Sequence, residues 1–375
     1  DNHWPWLVSA KNHVCDFQSS GLPYTTPPKR IRARCPHESF SQSNPNPSNQ
    51  GRRRPRHHQG GPWVRSSTTK GWTLVGLGVY LVALLLVQPV TAIIVQLDQD
   101  FASPVSTGEG GRTLLVEEYT ATWCSVCSEV DPELETVADS HGSRISIVAL
   151  HPTDGEDAFE PEAAAHRIER MRAVNPGIAS TPTFVVEGGS PRGGYEAWQD
   201  VQRDILNTEL ERQKVTPLAF DVQATDLGYK ASVLNSEPLT RNGTQLTFLV
   251  LQHGAEVPDR GVNVGGSTRD RVLLGIAECN LESNTISTSI GLLNATTNSE
   301  CSTDFSIEFP NYESWSVILV HEHTLEAMEN GSGPMSLGAV EMAHRAISVE
   351  QSSTASWILI GLCAGLSLVA IYRKK

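Results

Sequence analysis

The stretch from Arg112 to His141, RTLLVEEYTATWCSVCSEVDPELETVADSH, changes its hydrophobic period at a pair of cysteines. Upstream, Arg112 to Ala121 reads as a strand, with apolar Leu114, Leu115, Val116 and Tyr119 running towards the pair. Downstream, Cys124 to His141 reads as a helix stopped by Gly142, with Val130, Leu134 and Val137 in one buried stripe. A C-x-x-C therefore falls where a strand gives way to a helix. Free N–H groups and the helix dipole at such a place stabilise a thiolate, which arms the first cysteine as a nucleophile. One helical turn brings the second sulfur within bonding range, so Cys127 can resolve a mixed disulfide formed at Cys124. Zinc would need a second ligand pair at suitable spacing, and the folded region supplies none nearby.

Outward from this centre the elements alternate. Arg144–Leu150 reads as a second strand, Ala163–Val174 as a helix, and Pro182–Glu187 as a third strand turned back by Gly188-Gly189-Ser190-Pro191. An amphipathic helix from Tyr195 to Gln213, with Trp198, Val201, Ile205 and Leu210 inward, closes the pattern. This is an α/β order. Beyond Pro217 short β-rich runs separated by Gly, Asn, Asp and Pro predict an antiparallel sandwich. Cys279 and Cys301 lie in that region as an expected structural disulfide, the ordinary use of such a pair in an oxidising compartment. Three glycosylation acceptors, Asn242, Asn294 and Asn330, fall there too.

The segment Val116–Cys127 resembles the active-site segment of the thioredoxin superfamily, with an acidic residue, an aromatic, Ala and Trp before the cysteine pair. Gly177-Ile178-Ala179-Ser180-Thr181-Pro182-Thr183-Phe184 is similar to the segment that carries that family's cis-proline. The resemblance implies an α/β thioredoxin-like domain and protein-disulfide oxidoreductase activity. It implies Cys124 and Cys127 as the catalytic couple and Glu118 as a buried carboxylate relaying the Cys127 proton. Trp123, Thr181 and Pro182 become a surface for an extended substrate chain. Since Glu117 adjoins Glu118, strand alternation sends one of the two outward. Ser125-Val126 departs from the Gly-Pro of reducing thioredoxins, which leaves the direction of electron flow open. With the sandwich behind it, the arrangement is also similar to the Omp28-like outer-membrane family.

Charge and apolar runs set an expected topology. The chain carries a formal net charge of -13, yet residues 1–71 hold 11 Lys or Arg against 3 Asp or Glu. The body between that basic tail and Arg373-Lys374-Lys375 is strongly acidic, which excludes nucleic acid as its partner. Trp72–Val95 and Trp357–Tyr372 are apolar enough to span a bilayer, and basic residues flank their outer ends. Val90-Thr91-Ala92 also suits a signal-peptidase site, so the first run fits either a signal peptide or a signal-anchor helix. The expected organisation is a disordered basic tail over 1–71, a signal or anchor segment over 72–95, and a thioredoxin-like domain over 96–214. A β-sandwich over 215–350, a transmembrane helix over 357–372 and a basic cytoplasmic tail over 373–375 complete it. Residues 96–356 then lie on the extracytoplasmic side of a membrane-anchored protein.

Two further clusters lack the surroundings of a metal site. Cys15 and Cys35, near His13 and His37, sit without a hydrophobic core, and His321-Glu322-His323 offers two same-face histidines with no third ligand evident. No cofactor is implied. The expected partners are protein thiol or disulfide substrates and a redox partner that recycles the cysteine pair. The alternative is a non-catalytic surface binding or scaffold protein whose Cys124–Cys127 bond is a structural staple.

Overall fold

The computed structural model describes residues 93–95, 97, 100–234 and 236–346, all within the compact unit Gly76–Lys375. The chain enters through strand β1 (Ile93–Val95) and β2 (Val105–Ser106). Then β3 (Leu114–Tyr119) and β4 (Ile145–Leu150) pair in parallel, from Leu114 opposite Ile145 to Tyr119 opposite Leu150. Both are buried along their whole length, as parallel strands covered on two faces must be. Helix α1 (Ser125–His141) connects them. Gly142 ends it at φ 58°, a left-handed conformation that glycine adopts without a Cβ penalty. Helix α2 (Glu162–Val174) follows, then β5 (Thr183–Val186) antiparallel to β3, β6 (Arg192–Gly193) and helix α3 (Trp198–Glu211).

The remaining strands are β7 (Phe220–Ala224), β8 (Gly228–Val233), β9 (Thr244–Gln252), β10 (Ala255–Glu256) and β11 (Thr268–Arg269). After them come β12 (Val272–Asn280), β13 (Thr285–Ile290), β14 (Asn294–Thr296), β15 (Ser306–Pro310), β16 (Trp315–His323) and β17 (Gly338–His344). Among the described residues these form a ten-stranded sheet, β1-β17-β16-β9-β12-β4-β3-β5-β6 with β13 also on β12. A five-stranded sheet, β14-β15-β8-β7-β2, and the β10-β11 pair are separate.

This architecture corrects the expected fold class. The described residues do not form an α/β thioredoxin-like domain followed by its own all-β sandwich. They are mostly β-sheet, and β3 to β6 are one end of a sheet that continues through β12, β9 and β16. The seam is narrow: Val272 pairs with Ala149, whose N–H donates to Arg271 O at 3.0 Å. Thr113 N also donates to Ala339 O at 3.3 Å, and Thr216 N to Leu337 O at 2.8 Å. Among the described residues no helix is long and apolar enough to cross a membrane. The two apolar runs lie outside the described residues except for Ile93–Val95. Those β-branched residues form β1, parallel to Met342–His344, rather than the end of a helix.

The physical reason is shared burial. One core joins Leu115, Val148, Leu150, Ile168, Met171 and Val185 from the first half to Leu249, Leu251, Leu273, Ile276, Ile318 and Val320 from the second. Each such side chain removed from water contributes about 1.5–3 kcal/mol, so this shared core ties the halves together, while a further core of Leu114, Val130, Phe184 and Val201 lies wholly within the first half. A second core lies between the two large sheets, where Phe248 meets Phe220 at 5.6 Å and Trp315 meets Phe309 at 5.2 Å. Charges cross the seam as well. Arg167 of α2 reaches Glu117 Oε1 on β3 at 2.5 Å and Glu322 Oε2 on β16 at 2.8 Å, all of them buried.

Cys279 on β12 and Cys301 in the short helix α4 (Cys301–Asp304) are bonded, and both are fully buried. Their separation of 22 residues gives a loop-closure stabilisation of about 3 kcal/mol. Replacing both by Ala should lower the unfolding free energy by about that amount in a denaturant titration. A loss under about 1 kcal/mol would mean that the unfolded chain gains little freedom from the cut.

Candidate active site

Cys124 is the N-cap of α1, and its Sγ accepts from Cys127 N at 3.1 Å. The two cysteines are bonded, with Cα atoms 5.2 Å apart. Ser125 and Val126 between them face solvent. Cys124 keeps 6% of its surface exposed while Cys127 keeps none, so an incoming sulfur meets Cys124 first. The capping bond and the helix dipole both favour negative charge on that same sulfur.

Trp123 is half-buried against Ala121 and the cysteines, and its Nε1 donates to Asp154 Oδ2 at 3.0 Å. The bond from Thr181 to Pro182 is cis. Thr183 stands opposite Tyr119, so Pro182 sits at the same end of β3 as the cysteine pair. Thr181 is half-buried and Pro182 buried.

Neither Glu117 nor Glu118 points to solvent. Their exposures are 3% each, because α2 covers one face of β3 and α1 covers the other. Glu117 turns to Arg167, whereas Glu118 turns to Asp131 of α1. Burial, and then the facing charge of Asp131, push the Glu118 carboxyl well above the ordinary carboxylate range; Arg271 pulls weakly the other way. Burial also raises Asp131, against the opposing pull of Glu118 as a hydrogen-bond partner and of His151 and Arg269. These groups line a cavity of about 260 Å³ with Ser128, Glu135, Asp270 and Arg271.

Several residues of the site carry no local sequence signature. Asp131 follows Cys127 by one helical turn, and helical periodicity would have put it on the same face. His151 bonds Asp157 through Nδ1 at 2.9 Å, both fully buried, and Asp157 Oδ2 also accepts from Thr122 N at 2.8 Å. Arg269 and Arg271 come from the second half of the chain, more than a hundred positions away, and only the tertiary fold delivers them. So does the segment between β10 and β11: Val264 N donates to Thr122 O at 3.0 Å and Val262 N to Glu156 O at 2.7 Å. A Cβ on Gly265 would stand 2.8 Å from Ser128 Cβ, so this crossing over α1 needs glycine.

The other expected residues are placed as follows. In the α1 stripe Ala138 is buried and Val137 only half-buried; on α3 Leu210 is 82% exposed rather than inward. Asn242, Asn294 and Asn330 are all exposed. His321 bonds Thr216 Oγ1 at 2.6 Å, and Glu322 beside it serves Arg167. Ser316, His253 and Asp270 have the hydrogen-bond order of a nucleophilic triad, with Nε2 to Oγ at 2.7 Å and Nδ1 to Oδ1 at 2.8 Å. Ser316 is fully buried, however, so the trio ties β9 and β16 to the turn before β12 and offers no nucleophile.

No known family model matches the chain, and no curated protein does. Among solved structures it is similar to HBP35 of Porphyromonas gingivalis at 15% identity and a TM-score of 0.45, covering 66% of this chain and 80% of that one. It is also similar to protein AGR_C_4864 from Agrobacterium tumefaciens at 12% identity and a TM-score of 0.41, covering 64% of this chain and 97% of that one.

Proposed function

We propose that the chain is a thiol-disulfide oxidoreductase that exchanges two electrons between the Cys124–Cys127 couple and protein substrates in an oxidising compartment. The observation that carries this reading is the unequal setting of the two sulfurs: Cys124 at a helix N-cap with residual exposure, Cys127 one turn in and sealed. A staple has no need of that asymmetry. The buried disulfide Cys279–Cys301 and the exposed acceptors Asn242, Asn294 and Asn330 support the compartment. The resemblance of Val116–Cys127 to a thioredoxin-superfamily active-site segment supports the chemistry.

The steps balance in either direction. With the couple reduced, Cys124 thiolate attacks a substrate disulfide, forms a mixed disulfide and releases one substrate thiolate, which takes a proton from water. Cys127 then loses its proton to a buried carboxyl and attacks Cys124 Sγ. The intramolecular disulfide forms and the second substrate thiol leaves. The substrate gains two electrons and two protons; the protein loses them, and a separate dithiol or disulfide partner restores it. Oxidation of a substrate dithiol is the same path reversed.

Equilibration with glutathione or dithiothreitol buffers, read by alkylation and mass, gives the potential of the couple. A value above about -300 mV is expected for an exchanging pair, whereas one below it marks a structural staple and overturns the reading.

A further inference from the structure

We propose that Asp131 is a positioning residue of the redox centre: with Glu118 it forms a carboxyl pair that holds a single proton for Cys127 and exchanges it with water through the cavity behind α1. This rests on the oxidoreductase reading and assigns a role to a residue outside the C-x-x-C segment.

Three observations carry it. First, Asp131 lies four residues after Cys127 on α1, so both side chains project from one helix face. Glu118 meets it from β3. Second, Glu118 Oε1 and Asp131 Oδ1 are sealed from solvent without a hydrogen-bond partner, although the carboxyls face each other and the Thr120 hydroxyl lies beside Asp131. Two carboxylates are acceptors only, and one proton between them satisfies both. Doubly ionised, they would place like charges together in a poorly solvated site. Third, the cavity of about 260 Å³ that they line opens outward, giving the proton a path that bypasses the covered sulfurs.

The surrounding charges fit this role. From α1, Glu135 also lines the cavity; from the end of β4, His151 presents an Nε2 without a partner. From the second half come Arg269, Asp270 and Arg271. Arg269 Nε stands 3.9 Å from Asp131 Oδ2, and its guanidinium is otherwise spent on Gly266 O, Thr268 O and Asn263 Oδ1. Arg271 is held by Asp139 at 2.9 Å and by Asp270. The guanidiniums therefore bias the pair without neutralising it. Their positive charge also argues against a cation here, and no metal-holding group of three or more His, Cys, Asp or Glu occurs among the described residues.

In the reducing direction the pair acts as an acid. A dithiothreitol thiolate attacks Cys124 Sγ, the Cys124–Cys127 bond breaks, and Cys127 leaves while taking the shared proton. The second dithiothreitol thiolate then releases Cys124 and closes the oxidised ring, so two electrons pass from reagent to protein.

The test is the rate of that reduction across pH on the full chain, normalised to the same reagent acting on a small disulfide. Wild type should show a rate that falls as the pair loses its proton. In Asp131→Asn the charge that keeps Glu118 protonated is gone, so the fall should move to lower pH by about one unit. Above both limbs the rate should then be about tenfold below wild type. Asp131→Glu should hold the limb near its original place. A merely structural Asp131 would lower the rate at every pH and leave the limb where it was, which overturns the proposal; so does a wild-type profile without a limb. If Asp131→Asn fails the near-ultraviolet circular dichroism of the folded protein, Glu118→Gln replaces it, with the same displacement expected and an unmoved limb again overturning the idea. A limb that moves in a protein with no turnover of protein disulfides would keep the carboxyl pair and defeat the oxidoreductase reading alone.

Discussion

Cys127→Ser should accumulate mixed disulfides between Cys124 and protein substrates, while Cys124→Ser should trap none. Each substitution should lower turnover of a protein disulfide on the order of 10³-fold or more. The asymmetry follows from burial. Cys124 alone retains exposed surface and the helix N-cap, so it makes the first bond to substrate. Without Cys127 that bond has no internal thiolate to break it and awaits a slow external thiol. With Cys124 gone, Cys127 is fully enclosed and cannot reach a partner chain. Non-reducing gels and mass spectrometry of the two variants read the outcome. Equal trapping by both would mean that either sulfur can be attacked, and no effect of either on turnover would remove the couple from the chemistry.

Arg167→Ala should cost about 3–5 kcal/mol of unfolding free energy, the largest stability loss expected from one surface-free polar substitution here. Arg167 contacts Glu117 at 2.5 Å and Glu322 at 2.8 Å, and its own side chain is 5% exposed. Truncation leaves two buried carboxylates without their shared cation; Glu322 keeps Arg170 at 3.6 Å and the Thr247 hydroxyl at 2.6 Å. Urea titration should show a lower midpoint with an unchanged slope, since the surface exposed on unfolding stays the same. Replacing Arg167 by Met together with Glu117→Gln and Glu322→Gln should recover much of the loss, because the penalty lies in the unpaired charge rather than in the missing bond. A loss below about 1 kcal/mol for Arg167→Ala would show that water reaches the carboxylates.

Local order was legible because it is written in neighbouring residues. The strand Leu114–Tyr119, the helix start at Cys124 and its stop at Gly142 follow from period and caps. The cysteine pair was legible as a pair within bonding range at a helix start for the same reason. Long-range order was not legible. Helix α2 carries Arg167 and Arg170 on its buried side, which their residue type does not suggest, because their acidic partners Glu117, Glu278 and Glu322 lie on three distant strands. Adjacent Glu117 and Glu118 looked like one inward and one outward carboxylate, and both proved inward once a helix covered each face of β3. The sheet that continues across residue 214 was not legible on similar grounds. A change of texture from alternating to all-β elements resembles a domain boundary, yet the apolar stripes on either side complete one another.

The narrow main-chain seam between β4 and β12 also defines what can be inherited as a unit. Moving only residues 112–211 into another protein would carry the core of Leu114, Val130, Phe184 and Val201 whole but leave the cavity beside Glu118 without the wall that Arg269 and Arg271 supply. The second half, moved alone, would expose the strand face that α2 now covers. The cysteine segment and the cavity beside it are therefore no separable cassette, because the wall from Gly266 to Arg271 comes with the second half of the chain.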